Sequence, residues 1–174
     1  MAEQVHDASI HGGERILVID DDPGLAEVVQ LMLAREGYAV EREGTLEGGL
    51  RRVGAADFDL VVTDLKLPDG TGLDAIPAIR GLHEGLPIIL MTSYSSMESA
   101  IAALRAGAVD YITKPFQNDE FVHAVERALR ARRDTEASAT AALAAARSSS
   151  KRFGRRRTPT STRTRSARPT PPRR

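Results

Sequence analysis

Carboxylates, a hydroxyl and an ammonium group stand at matched places along this chain of 174 residues. Asp64 closes an uncharged, β-prone run, Leu60-Val61-Val62-Thr63, shortly before a turn forced by Pro68-Asp69-Gly70. Asp20, Asp21 and Asp22 end a second apolar run that begins at Arg15, Thr92 ends a third, Pro87 to Met91, and Lys114 follows a fourth, Val109 to Thr113. Two carboxylates about 4 Å apart repel by on the order of 4 kcal/mol at an effective dielectric of 20. Three gathered at one place need a cation. An all-oxygen ligand set with no His or Cys beside it favours Mg²⁺ over zinc. Lys114 adds a positive charge and the Thr92 hydroxyl a hydrogen-bond donor. Such a constellation suits a divalent metal and a phosphate-like group.

The elements between these residues must bring them together. Leu60 to Thr63 reads as a parallel strand buried on both faces, with Asp64 at its carboxyl end. Asp22 is a natural N-cap and Pro23 a natural first residue for a helix to about Glu36, which Gly37 closes. Leu25, Val28, Val29, Met32 and Leu33 give that helix its apolar face. Tyr38 to Glu43 alternates and reads as a strand near the sheet edge. A helix over Thr45–Val53 is weakened by Gly48 and Gly49. A third helix, Thr71–Leu82, holds Pro77, which makes its regularity an open question. Ser95 and Glu98 form a capping box for a helix from Ser96 to Ala106, stopped by Gly107. The last helix runs from Asp119 to Arg133 on an apolar face of Phe121, Val122, Val125 and Leu129. Strands alternating with helices at this spacing predict an α/β fold, a doubly wound five-stranded parallel sheet with five helices. The pattern fits the flavodoxin-like order 2-1-3-4-5, in which the carboxyl ends of strands 1, 3, 4 and 5 meet.

Composition narrows the function classes. There is no cysteine, hence no disulfide framework and no thiolate metal site. No apolar run approaches the roughly 18 residues of a membrane span, and no secretory signal opens the chain. A soluble cytoplasmic protein without membrane contact is expected. The net charge of zero hides an asymmetry: residues 148–174 carry ten Lys or Arg and no acid, which leaves the preceding part at −10. Four segments follow: a loose arm at 1–14, with His6 and His11 solvated; a domain at 15–133; an Ala-rich helical extension or linker at 134–147; and a disordered basic tail at 148–174. The tail suits nonspecific contact with nucleic-acid phosphates, but also reads as an accidental, out-of-frame terminus.

The stretches ILVIDDDP, VVTDLKLPDGTGLD, PIILMTSYS and GAVDYITKPF, in this order, resemble the receiver domain of two-component response regulators. They resemble most those in front of NtrC-type, ATPase-driven transcription activators. The resemblance implies that Asp64 is the phosphoacceptor, taking a phosphoryl group from a histidine kinase or phosphotransfer protein. It implies that Asp21 holds Mg²⁺ directly and Asp20 through water, with Asp64 and the Lys66 backbone carbonyl completing the protein ligands. Lys114 would pair with the phosphoryl oxygens, and its bond to Pro115 would be cis, which for X–Pro costs only about 0.5–1 kcal/mol. Thr92 would turn to the phosphoryl group and Tyr111 follow inward, reshaping the surface of the fourth helix, fifth strand and fifth helix, where a homodimer could form. Slow autodephosphorylation is expected, with Lys66 and Tyr94 bordering the approach of water. Asp22 is expected to cap, Asp69 to turn the chain and Ser93 to fill space.

Two other readings compete. Asp20-Asp21-Asp22 contains a D-x-D like that of haloacid-dehalogenase-type phosphatases, with Asp20 as nucleophile, although Gly24 departs from that motif. The chain also reads as the front of a longer or truncated transcriptional regulator, since no G-x-x-x-x-G-K-[ST] loop or helix-turn-helix pattern is present.

Overall fold

The computed structural model describes residues 13–93 and 96–153, the last six as backbone alone. Most of the expected N-terminal arm, with His6 and His11, lies outside the described residues, as do Tyr94, Ser95 and residues 154–174 of the basic tail. The elements are β1 (Arg15–Ile19), α1 (Pro23–Arg35), β2 (Ala39–Glu43), α2 (Leu46–Ala55), β3 (Leu60–Asp64), a short hairpin of β4 (Lys66–Leu67) and β5 (Gly70–Thr71), α3 (Gly72–Leu82), β6 (Ile88–Thr92), α4 (Met97–Ala106), β7 (Asp110–Thr113) and α5 (Asn118–Phe153). The main sheet has five parallel strands in the order β2-β1-β3-β6-β7. That is the predicted order 2-1-3-4-5, with the fourth and fifth strands being β6 and β7.

The central strands carry apolar side chains on both faces, because helices cover both. Ile16, Val18, Leu60, Val62, Ile89, Met91 and Ile112 pack on one side with Val29 and Leu33 of α1 and Phe121, Val125 and Leu129 of α5. Leu17, Ile19, Val61, Ile88 and Leu90 pack on the other with Val53 of α2, Ile76 and Ile79 of α3 and Ala103 of α4. The edge strand β2 has no buried residue, in keeping with its alternating sequence.

Local chemistry sets the helix ends. Asp22 accepts from the backbone N–H groups of Gly24 and Leu25 at 2.9 and 3.1 Å, with Pro23 at the first helical position. Gly37 and Gly107, at φ of 92° and 108°, follow α1 and α4 in the left-handed region. Helix α3 runs unbroken through Pro77. The capping box of α4 departs from expectation. Its N-cap is Ser96 and its partner Ser99, one residue beyond the predicted Ser95 and Glu98. Glu98 keeps a role in the first turn, where a carboxylate meets the positive end of the helix dipole.

The chain divides into two units after Glu136. Helix α5 has no Gly or Pro to end it; it runs through 134–147, where a helical extension was one of the two readings, and on to Phe153. Ala is the strongest helix former, and Ala137 to Ala146 is mostly Ala.

The start of α3 bears directly on Asp64. The Gly72 N–H donates to the Leu65 carbonyl at 2.9 Å. A methyl group on Gly72 would lie 2.3 Å from the Asp64 backbone oxygen. Glycine is required here because helix and strand backbones touch. An exposed Gly→Ala change within a helix gains about 1 kcal/mol. Gly72→Ala is instead expected to destabilise the fold by about 2 kcal/mol through overpacking, measured by urea denaturation; unchanged or higher stability would show that the helix start is not this close.

Candidate functional site

The parallel registers decide what meets at the carboxyl edge. Ile19 pairs with Thr63, Asp64 with Met91, and Thr92 with Thr113. The next residues, Asp20 and Lys114, therefore emerge beside Asp64 and Thr92. The Lys114 N–H donates to the Thr92 carbonyl at 2.7 Å, and the Asp20 N–H to that of Glu43 at 3.0 Å. The Lys114–Pro115 bond is cis.

Asp20 is 2 % exposed, and both its oxygens are engaged. Oδ1 accepts from the Asp22 N–H at 3.0 Å, and Oδ2 from Lys114 Nζ at 2.6 Å. The same ammonium lies 3.1 Å from Asp64 Oδ2. Lys114 thus holds two carboxylates of neighbouring strands together, and is itself largely buried. Asp21 is exposed, and one carboxylate oxygen each from Asp20, Asp21 and Asp64 lie within 4.8 Å of one another. Three acids against one ammonium leave the edge electronegative. These hard oxygen donors suit a divalent cation such as Mg²⁺.

A cleft of about 270 Å³ opens over the acids, lined by Asp21, Asp64, Lys66, Leu67, Pro68, Thr92 and Ser93. Five of the predicted site residues, Asp20, Asp21, Asp64, Thr92 and Lys114, are thus together. Lys66 stands at the rim, on the hairpin strand β4. Tyr111 lies apart on β7, its hydroxyl 3.0 Å from Ser99 Oγ of α4. Tyr94 lies outside the described residues.

Two roles were not read from the sequence. Asp69 does more than turn the chain: its carboxylate accepts from the N–H groups of Leu46 and Glu47, at 2.8 and 2.9 Å, at the start of α2. Those bonds hold its pKa below the usual carboxylate range. Its spacing of more than twenty residues from α2 leaves no local sequence signal. Ser99 joins the α4 cap to Tyr111; the Ser96-x-x-Ser99 spacing was a usable signal beside the Ser95–Glu98 pair.

Residues 16–126 match the response regulator receiver domain family. The chain belongs to this family. The receiver is 37% identical over 136 residues to the transcriptional regulatory protein ZraR of Salmonella typhimurium, covering 78% of this chain and 31% of that protein. It thus spans about a third of that relative's length. The beryllofluoride-activated NtrC4 receiver domain dimer superposes with a TM-score of 0.66 at 27% identity, over 68% of this chain and 98% of that one. The response regulator TrrA of Thermotoga maritima, in complex with Mg²⁺ and beryllofluoride, gives 0.61 at 33%, over 66% and 98%. No helix among the described residues is long and apolar enough to cross a membrane.

The ammonium between the acids occupies charge that a divalent cation would otherwise neutralise. Lys114→Met is therefore expected to tighten Mg²⁺ binding about tenfold, or about 1.4 kcal/mol, in a calorimetric titration. Unchanged or weaker binding would show that Lys114 does not compete with the metal.

Proposed function

We propose that this receiver takes a phosphoryl group onto Asp64 from a phosphohistidine on a sensor histidine kinase or phosphotransfer protein, with Mg²⁺ present. The observation that supports this most is the placing of Asp64 between a cation and an open cleft. Its Oδ2 faces Lys114 at 3.1 Å, and its side chain lines the cleft. An Asp64 oxygen forms the new bond to phosphorus as the phosphorus–nitrogen bond breaks and the imidazole leaves with that electron pair. Asp21, Asp64 and the Lys66 carbonyl would hold Mg²⁺, with Asp20 acting through water, and the bound ion would offset the charge of the incoming phosphoryl group. Lys114 draws the phosphoryl oxygens by its ammonium, and Thr92 by its hydroxyl. The binding of Mg²⁺ and beryllofluoride by TrrA supports this reading of the similar chain.

The phosphatase reading loses ground at Asp20. A nucleophile needs a free oxygen and access, whereas Asp20 is buried with both oxygens hydrogen-bonded.

For output, we read the surface of α4, β7 and α5 as the part that changes partners. Met97, Ile101 and Leu104 recur at helical spacing on α4 and are exposed, Met97 at 81 %, with Val109 exposed beside β7. An apolar stripe of this kind is uncommon on a surface without a partner. We assign it to a second copy of this chain, in keeping with the activated NtrC4 receiver dimer. Regulation of transcription, named for ZraR, is the downstream process this reading implies.

Incubation of the full chain with Mg²⁺ and a small-molecule phosphodonor tests the proposal. Wild type is expected to take up phosphate and to sediment as a dimer, and Asp64→Asn to take up none and remain monomeric. Wild-type phosphate uptake by Asp64→Asn would remove Asp64 from the role. Phosphorylated wild type that stays monomeric would remove the dimer.

A further inference from the structure

Tyr111 and the first turn of α4 share one hydroxyl. Ser99 Oγ stands 3.0 Å from the Tyr111 hydroxyl. The same oxygen lies 2.9 Å from the Ser96 carbonyl, to which it donates, and 3.3 Å from the Ser96 N–H, from which it accepts. Ser96 Oγ returns the cap by accepting from the Ser99 N–H at 3.1 Å. A serine hydroxyl carries one proton and two lone pairs. Ser96 Oγ is a further neighbour of Ser99 Oγ, at 3.0 Å; with the Ser99 proton given to the Ser96 carbonyl, the bond between Tyr111 and Ser99 is donated by Tyr111. The order of donation then runs from Tyr111 through Ser99 to the backbone of the α4 N-cap.

Tyr111 lies on the same face of the sheet as α4. It packs against the cluster that holds Leu90 and Ala103, and pairs in register with Leu90, two residues before Thr92. Its ring therefore stands between the edge where Thr92 lies and the helix that carries the exposed Met97, Ile101 and Leu104. The far end of α4 is tied separately. Arg80 of α3 donates to the Gly107 carbonyl at 2.7 Å.

We propose that Ser99 is a positioning residue that holds Tyr111 against the α4 N-cap and so sets the resting balance of the switch. The inference rests on the phosphoacceptor reading of Asp64. Movement of the Tyr111 ring toward Thr92 breaks the Ser99 bond and leaves the cap serine without that partner. The cap and the ring are thus coupled in both directions, as linkage requires. Loss of the bond makes the moved state easier to reach, and a ligand selective for that state binds more tightly by the same factor.

The test is titration of the full chain with beryllofluoride, as a phosphoryl stand-in, at saturating Mg²⁺. Ser99→Ala and Tyr111→Phe each delete the bond from one end. Each is expected to tighten binding about fivefold, which is about 1 kcal/mol. The double variant is expected to show the same fivefold and not its square, because one bond can be lost only once. Ser99→Thr keeps the hydroxyl and should bind as wild type does. Wild-type affinity in Ser99→Ala, or multiplying effects in the double variant, would each overturn the inference while leaving Asp64 in its role. No beryllofluoride binding to wild type would overturn the phosphoacceptor reading, and this inference with it.

Discussion

One ammonium group between two carboxylates is the constraint on which the carboxyl edge depends. Asp20 is almost fully buried. An isolated buried carboxylate is costly, and loss of a buried partner can destabilise by 3–5 kcal/mol. Lys114 offsets that cost at 2.6 Å and reaches Asp64 at 3.1 Å with the same nitrogen. The bond can form only if three strands end level. β1, β3 and β7 are held level by parallel pairing, directly between β1 and β3 and through β6 for β7. The sheet order serves the chemistry in this physical sense: it sets the place of a cation among acids that would otherwise repel.

The same interaction gives the site a resting state that can be displaced. In the proposed reaction a divalent cation at the acids would weaken the hold of Asp20 and Asp64 on Lys114, and a phosphoryl group on Asp64 would offer the ammonium new oxygens. Farther out, Ser99 meets Tyr111 in the first turn of α4, and Arg80 meets the Gly107 carbonyl past its last. A small change in charge at the edge can thus bias an element whose exposed face is apolar.

Much of this was legible in the sequence, because it is written in local pattern. Uncharged, β-prone runs ending on Asp20, Asp64 and Thr92 are strands buried on both faces. The D-P pair at Asp22 and Pro23 reads directly as a cap. What stayed hidden depends on tertiary approach. Gly48 and Gly49 look like weaknesses in α2, yet a methyl group on Gly49 would sit 2.3 Å from Ile19 Cδ1, so packing on β1 overrides propensity. Asp69 reads as a turn residue because its helix-capping partners lie on α2, far back in the chain. The α4 box was misread by one residue because two pairs of equal spacing overlap, Ser95 with Glu98 and Ser96 with Ser99, and only the helix start distinguishes them. For residues 134–147 the sequence left helical extension and linker both open, because Arg133 ends the apolar stripe while alanine can carry a helix on without one.

The central claim is that Asp64 bonds to phosphorus and that Asp20, buried and held by Lys114, does not. Borohydride reduction converts an aspartyl phosphate to homoserine at the modified position. After incubation of the full chain with phosphodonor and Mg²⁺, peptide sequencing by mass spectrometry is predicted to find homoserine at position 64 and aspartate at position 20. Homoserine at position 20, with aspartate retained at 64, would contradict the account.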